Sequence, residues 1–167
     1  MATTTAEAIR DRIITVIEAL VPTTNTKDRF KRYTFDAGID DFRKWATGNP
    51  QGSLRRFFVR TLGTDEIAEV SNGDVEAHYV DFLVLVAYPQ TNHIGLTALD
   101  RDDAQDQDRH AIEGAIGLRG AANFAGAFPD ACYRGPVPSM KPVDRELGAG
   151  VDFLVITQRM SFYRAFP

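Results

Sequence analysis

The stretch that most constrains the fold of this chain is the apolar run from His78 to Tyr88, HYVDFLVLVAY. It is rich in β-branched and aromatic residues and is followed at once by Pro89, which is typical of a long strand that ends there. Alternate side chains of a strand point to opposite faces, and in this run both sets are mostly apolar. We therefore expect a central strand that is covered on both sides, or covered on one side and pressed against a neighbouring subunit on the other.

A second apolar run, Gly150 to Phe162, has the same strand character, and we expect it to pair with the first in one sheet. Its alternation changes midway and predicts one apolar face and one wet face. The apolar face has Leu154, Ile156, Met160 and Phe162 together with Gln158, and the wet face has Thr157, Arg159, Ser161 and Tyr163.

Length and composition predict a single globular domain over residues 1–167, because 44% of the residues are apolar and 25% are charged. No apolar run is long enough to span a membrane, and the charged residues Arg10, Asp11 and Arg12 interrupt any signal-peptide core. A single cysteine, Cys132, cannot form an internal disulfide. These features together predict folding in a reducing cytoplasm, with no membrane partner.

Two helices are predicted. The first runs from about Ala6 to Leu20, where Thr4 and Glu7 have capping-box spacing and an apolar stripe follows. The second runs from about Asp102 to Gly117 and begins among acidic residues, which the helix dipole stabilises there.

Between these elements the sequence predicts a strand from Leu54 to Leu62, a turn around Gly63 to Glu66, and a hairpin turn at Asn72-Gly73-Asp74. Residues 22–53 and 117–148 are interpreted as long loops, with a short strand near Phe30 to Phe35, one or two helical turns at 39–45 and a short helix near 121–124. The predicted fold class is α+β, with a mixed or antiparallel sheet of about four strands packed against two main helices.

The sequence has no catalytic signature. A calcium-binding loop that starts at Asp102 does not match the sequence, because Ala104 occupies a ligand position and Gln107 stands where a glycine is needed. The three histidines have no zinc spacing, and a Cys132–His110 pair stays open only because such partners meet in space rather than in sequence. We predict no catalytic residue, no metal site and no cofactor, and hence a protein that is not an enzyme.

Charge is segregated along the chain. From Lys27 to Arg60 there are nine basic and four acidic residues, a balance of +5, whereas from Asp65 to Glu113 there are two basic and twelve acidic, a balance of −10. Such a chain can dock one half against the opposite half of a neighbour, as in a head-to-tail ring, although both halves can equally be solvated faces of a monomer. The arginines and aromatics near residues 29–58 suit nucleic acid as well as a protein interface, and the acidic balance of −4 favours the protein interface.

The order of elements resembles that of the tail-terminator (tail-completion) proteins of long-tailed bacteriophages. The resemblance rests on the opening AEAIRDRIITVIEAL, on the strand HYVDFLVLVAYP with the acid-started helix DRDDAQDQDRHAIEGAI after it, and on the closing strand VDFLVITQRMSFYR. It implies a structural virion protein at the head–tail junction, assembled in the host cytoplasm. It further implies a homo-hexameric ring that caps the tail tube, contacts the tail tube protein and the head-side connector or stopper protein, and lets DNA pass without reading its sequence.

The loops predicted over residues 22–53 and 117–148 are longer than the minimal pattern of that family requires. The hypothesis that the chain is another head–tail neck or completion protein therefore stays open. Two further hypotheses stay open: a small cytoplasmic ligand-binding module or enzyme, with a pocket under the 117–148 segment, and a nucleic-acid binder. For the leading hypothesis we predict basic interface residues that face acidic ones between Asp100 and Asp108 on the adjacent subunit. These residues are Arg43, Lys44, Trp45, Arg55, Arg56 and Arg60 on the basic side, with Asp100, Asp102, Asp103 and Asp106 on the acidic side.

Overall fold

The computed structural model describes residues 4–24, 26–34, 38–71, 75–90, 98–128, 132–138, 144–148 and 150–165, and the backbone alone for 64–71, 75–76, 98–99 and 164–165. Three α-helices and six strands make up this described part. The helices are α1 (Ala6–Ala19), α2 (Ile39–Gly48) and α3 (Ala98–Ile116), with short 3₁₀ helices at Pro50–Gly52 and Leu118–Phe124. The strands are β1 (Lys31–Arg32), β2 (Arg56–Ser71), β3 (Val75–Pro89), β4 (Tyr133–Val137), β5 (Asp144–Leu147) and β6 (Val151–Ala165).

The two apolar runs do pair. β3 and β6 lie antiparallel over their whole lengths, from Val75 opposite Ala165 to Pro89 opposite Val151. The sheet has the order β1-β2-β3-β6-β4, and β5 pairs with the other half of β6. β1 is parallel to β2 and the remaining pairs are antiparallel, so the sheet is mixed, as predicted, with more strands than the expected four.

The first face of the sheet carries the larger core. Its side chains from β3 are the set Val80, Phe82, Val84, Val86 and Tyr88, and the predicted apolar face of β6 joins them. Helix α1 covers this face with the stripe predicted from the sequence, and α3 and the 3₁₀ helix Leu118–Phe124 complete the cover. A slip by one residue would turn this set to the other face and bring Asp81 into the larger core, so burial disfavours that register.

The second face is covered by α2 at one end only. Phe42 and Ala46 of α2 pack on Leu85 and Ala87 of β3 and on Phe153 of β6, so β3 is apolar on both faces as expected. The face of β6 that was predicted to be wet is only partly accessible to solvent: Thr157 and Ser161 are buried, whereas Arg159 and Tyr163 are half-buried, and Arg159 binds a carboxylate on β3.

Several local predictions are wrong in position. The N-cap of α1 is Thr5 and not Thr4, since Thr5 Oγ1 accepts a hydrogen bond from the Ala8 amide at 3.1 Å. The turn predicted around residues 63–66 lies inside β2, where Gly63 has φ 71° and the pairing with β3 shifts between Leu62 and Glu66. A β-bulge of this kind absorbs extra residues without ending the strand.

The predicted long loops hold regular structure. Residues 22–53 contain β1 and the whole of α2, and 117–148 contain β4 and β5 as well as the predicted short helix. Helix α3 begins at Ala98, before the acidic residues where the sequence predicts its start. The predicted turn at Asn72-Gly73-Asp74 lies outside the described residues. Among the described helices, none is both long enough and apolar enough to cross a membrane.

Candidate subunit interface

The residues predicted to form the basic side of an interface have different surroundings. On α2, Lys44 is exposed, whereas Trp45 is half-buried against the ring of Tyr33, with ring centroids 5.0 Å apart. Arg43 is already paired within the chain, because it binds Glu146 of β5 at 2.6 Å and Asp40 at 3.2 Å. Arg43 and Trp45 therefore fasten α2 to the sheet.

Arg55 was predicted to be an interface residue, and its position corrects that prediction. Its side chain is fully buried and forms a two-pronged ion pair with Asp108 of α3, with Nε to Oδ2 at 2.6 Å and Nη2 to Oδ1 at 3.2 Å. It also donates to the Asp28 carbonyl at 3.0 Å, and Tyr88 donates its hydroxyl to Asp108 at 2.9 Å. Arg55 thus joins α3, β3 and the 22–53 segment inside one subunit and offers no surface to a second.

Burial also governs the acid–base chemistry of this cluster. It raises the pKa of Tyr88 well above its usual value, and the neighbouring Asp108 carboxylate adds to that rise. Burial likewise raises the pKa of Asp108, which the hydrogen bonds from Arg55 and Tyr88 oppose. The phenol therefore stays protonated and donates to Asp108 at ordinary pH.

Arg56 and Arg60 remain surface residues. They alternate with Phe58 and Leu62 on the second face of β2, which continues the surface of α2. Arg56 is half-buried and its Nε donates to the Gly52 carbonyl at 3.3 Å, while Arg60 is exposed. With Lys44, they form the basic part of this face.

The acidic side is partly neutralised within the chain. Asp102 binds Arg145 at 2.7 Å and Arg101 at 3.4 Å, and the hydrogen bond from Arg145 lowers the pKa of Asp102. Asp106 is paired with Arg109 at 3.4 Å. All four predicted acidic residues of α3 are exposed, so each has surface that another subunit could contact.

A polar patch on the second face was not predicted. At its centre Arg159 binds Asp81 through two bonds, Nε to Oδ1 at 2.8 Å and Nη2 to Oδ2 at 3.1 Å. Beside this pair Arg134 stacks on the ring of Tyr163 at 4.7 Å. The members of the polar patch are Tyr79, Asp81, Arg134, Arg159, Ser161 and Tyr163. The pairing register of β3 with β6 sets Asp81 directly opposite Arg159. Knowledge of that register would have been needed to predict the ion pair.

Several side chains of the polar patch are accessible to solvent. Tyr79, Arg159 and Tyr163 are partly exposed and Arg134 is exposed, while α2 ends its packing on the far half of the same face. Within the described residues, Ser161 Oγ is buried without a hydrogen-bond partner. Aromatic rings and arginines of this kind are the side chains that most often anchor protein interfaces.

A cavity of about 560 Å³ lies elsewhere, where the 117–148 segment meets the end of α3. It is lined by polar side chains, among them His110, Glu113 and Arg119, and by apolar ones such as Leu118 and Val137.

Within the described part of the chain, no cluster of His, Cys, Asp or Glu has an arrangement that could hold a metal ion. No known family model and no curated protein matches this sequence.

Proposed function

We propose that this protein is a structural virion component that forms a ring of identical subunits at the head–tail junction of a long-tailed bacteriophage. The ring, hexameric by the resemblance, docks on the last ring of the tail tube and occupies the surface where another tube ring would add. Its opposite surface receives the head-side connector or stopper protein, and DNA passes through the hole. Its mechanism is steric and requires no catalytic residue.

The observation that carries the proposal is the division of the sheet's second face. Helix α2 covers one end with an aromatic cluster, and the other end carries the polar patch of partly exposed tyrosines and arginines. The first face is filled by α1, α3 and the 3₁₀ helix after α3. A subunit in which the two longer helices fill one face and α2 leaves part of the other face open suits a ring with α1 and α3 outside and the open part of the sheet towards a neighbour or the hole.

The charges support a contact between unlike surfaces. Arg60 and Lys44 are exposed on the face of β2 and α2, while Asp100 and Asp103 are exposed on α3, across the sheet. Complementary groups on different sides of a subunit favour head-to-tail association, which closes into a ring when the rotation between subunits permits.

The cavity at the end of α3 favours a second candidate, a small ligand-binding module. Its volume of about 560 Å³ lies in the range of small-molecule sites, and it occupies the place under the 117–148 segment where the sequence predicted a pocket. This candidate uses the cavity and not the polar patch, so ring formation and small-molecule binding are measured together to separate the two candidates.

Native mass spectrometry of the wild-type chain tests the proposal, with the variant Arg56→Glu/Arg60→Glu beside it. We expect the wild type to form a closed ring and the variant to be mainly monomeric, because it places two negative charges where the acidic surface of the next subunit must dock. Circular dichroism should show the same fold in both, since neither arginine is fully buried.

The matched control is Lys27→Glu/Arg29→Glu, which reverses two exposed charges in the segment before β1, outside the sheet. This control should keep the ring. Equal assembly of both variants would remove the charge-paired contact, and a wild-type monomer that binds a small molecule tightly would favour the ligand-binding module.

A further inference from the structure

A second, smaller pocket lies between α3 and β5, away from the polar patch. It has a volume of about 250 Å³ and is lined by Gln105, Asp106, Arg109, Asp144, Arg145 and Leu154. This volume is below the usual range of about 300–1,000 Å³ for organic cofactors and drug-like ligands. The pocket therefore suits an ion of a few atoms better than a nucleotide or a peptide.

The pocket contains hydrogen-bond donors that have no acceptor. Gln105 is only 4% exposed, and within the described residues neither its Nε2 nor the Nε of Arg109 has a hydrogen-bond partner. A buried donor left unpaired destabilises the fold, so such groups in native proteins normally meet an acceptor. Both of these unpaired donors line the same pocket.

The acidic side chains of the pocket do not supply that acceptor. Asp106 is 72% exposed and contacts Arg109 only through Nη2, at 3.4 Å. Asp144 accepts a hydrogen bond from the backbone amide of Arg145 at 2.7 Å. The carboxylates of Asp106 and Asp144 thus lie towards solvent, and the buried donors of the lining are the Gln105 amide and the Arg109 Nε–H, while Arg145 is already bound to Asp102 at 2.7 Å and to Asp152 at 3.1 Å.

We propose that this pocket binds a small oxyanion of the phosphate or carboxylate class, with Gln105 Nε2 and Arg109 Nε as donors. Two buried N–H groups can each take one oxygen of such an ion, and charge-assisted bonds to an anion are stronger than bonds to a neutral acceptor. The site is independent of ring formation and would serve the monomer equally.

The test is titration of the full chain with inorganic phosphate, and in a second arm with acetate, at constant ionic strength set by chloride. Nuclear magnetic resonance follows the side-chain amide of Gln105 and the Nε–H of Arg109, and thermal unfolding is recorded in parallel. We expect both resonances to shift in a saturable way and the Tm to rise with the anion. The arm with the tighter binding identifies the class.

The variant Gln105→Leu should fold and should be at least as stable without anion, because it removes an unpaired buried donor. Its anion affinity should fall by about tenfold or more, as expected for a lost hydrogen bond to a charged ligand. Arg109→Gln should weaken binding similarly, whereas the exposed controls Gln51→Leu and Arg119→Gln should bind as the wild type does. Resonances that do not move with either anion, or a Gln105→Leu variant that binds like the wild type, would show that the pocket holds water only and would overturn the proposal.

Discussion

Arg55 joins helix α3, strand β3 and the 22–53 segment inside the subunit. It stands beside Arg56 in a basic segment, yet it is fully buried and has φ 55°, in the left-handed region that non-glycine residues rarely adopt. A backbone of this kind costs about 1–3 kcal/mol and persists only where the surroundings enforce it. Here the backbone of Arg55 is held by hydrogen bonds to the Ala87 carbonyl and from the Lys31 amide, and its side chain is held by Asp108, a partner distant in sequence that no local pattern could have indicated.

We predict that Arg55→Met lowers the free energy of unfolding by about 3–5 kcal/mol, because it leaves Asp108 buried without its counter-charge. The double variant Arg55→Met/Asp108→Leu should lose much less, since no charge is then left unpaired. Urea unfolding of the single and double variants measures the difference. Arg56→Met, one position along and half-buried, is the control and should change stability by about 0.5 kcal/mol or less. Additive losses in the double variant would mean that the pair itself is not what matters.

Tyr88 gives the protein a specific sensitivity to alkali. Its pKa is raised in the folded state by burial, so above pH of about 10 the unfolded chain loses this proton while the folded chain keeps it. Stability from this group is complete below the unfolded pKa and is lost as pH rises towards the folded pKa. In Tyr88→Phe, the fall in unfolding free energy between about pH 9.5 and 11 should be shallower, because the titrating group is gone. At pH 7 the variant should be less stable than the wild type by about 1 kcal/mol, because the hydrogen bond to Asp108 is lost. An unchanged alkaline slope in chemical denaturation would contradict this.

At the scale of elements, long periodic segments were predictable and short ones were not. The stripe of α1 and the alternation of β3 were correct because burial repeats the same signal over many residues. β1 lies inside the short strand predicted near Phe30 to Phe35, whereas β4 and β5 were missed, since five and four residues carry too little periodicity to indicate a strand. α2 was underestimated for a related reason: its buried residues are only Phe42 and Ala46, one turn apart.

The 3₁₀ helix Leu118–Phe124 depends on a close approach that only glycine allows. A Cβ at Gly120 would lie 2.0 Å from the Ala115 carbonyl oxygen, a backbone atom of α3 that cannot move aside. We predict that Gly120→Ala lowers the free energy of unfolding by about 3 kcal/mol or more, measured by urea denaturation. The control Gly114→Ala, inside α3 with open space around it, should instead stabilise by about 0.5–1 kcal/mol. Equal effects of the two substitutions would show that the contact is not tight.

At the scale of the whole molecule, the pairing of the two apolar runs in one sheet was predictable from the sequence, but the position of the candidate interface was not. Some of the segregated charges are paired inside the subunit, as Arg43 with Glu146 and Asp102 with Arg145 illustrate. The polar patch is assembled from β3, β4 and β6, so it exists only after the register is set. Composition and spacing could predict that a contact surface exists, but the packing of the strands and helices decides where it lies. The ring is therefore best tested with Arg56 and Arg60, which are at the surface, and not with Arg55, which is buried.

The pairing of β3 with β6 also determines when the newly made chain can complete its central sheet. The ribosome completes β3 at Pro89 but reaches the first residue of β6 only at Val151. At about 5–20 residues per second that interval lasts roughly 3–12 seconds, during which the central strand has β2 on one side and an open edge on the other. An apolar strand in that condition can pair with a strand of another nascent chain. Slow synthesis between these two points should therefore favour aggregation, and a chaperone that holds extended apolar segments should relieve it.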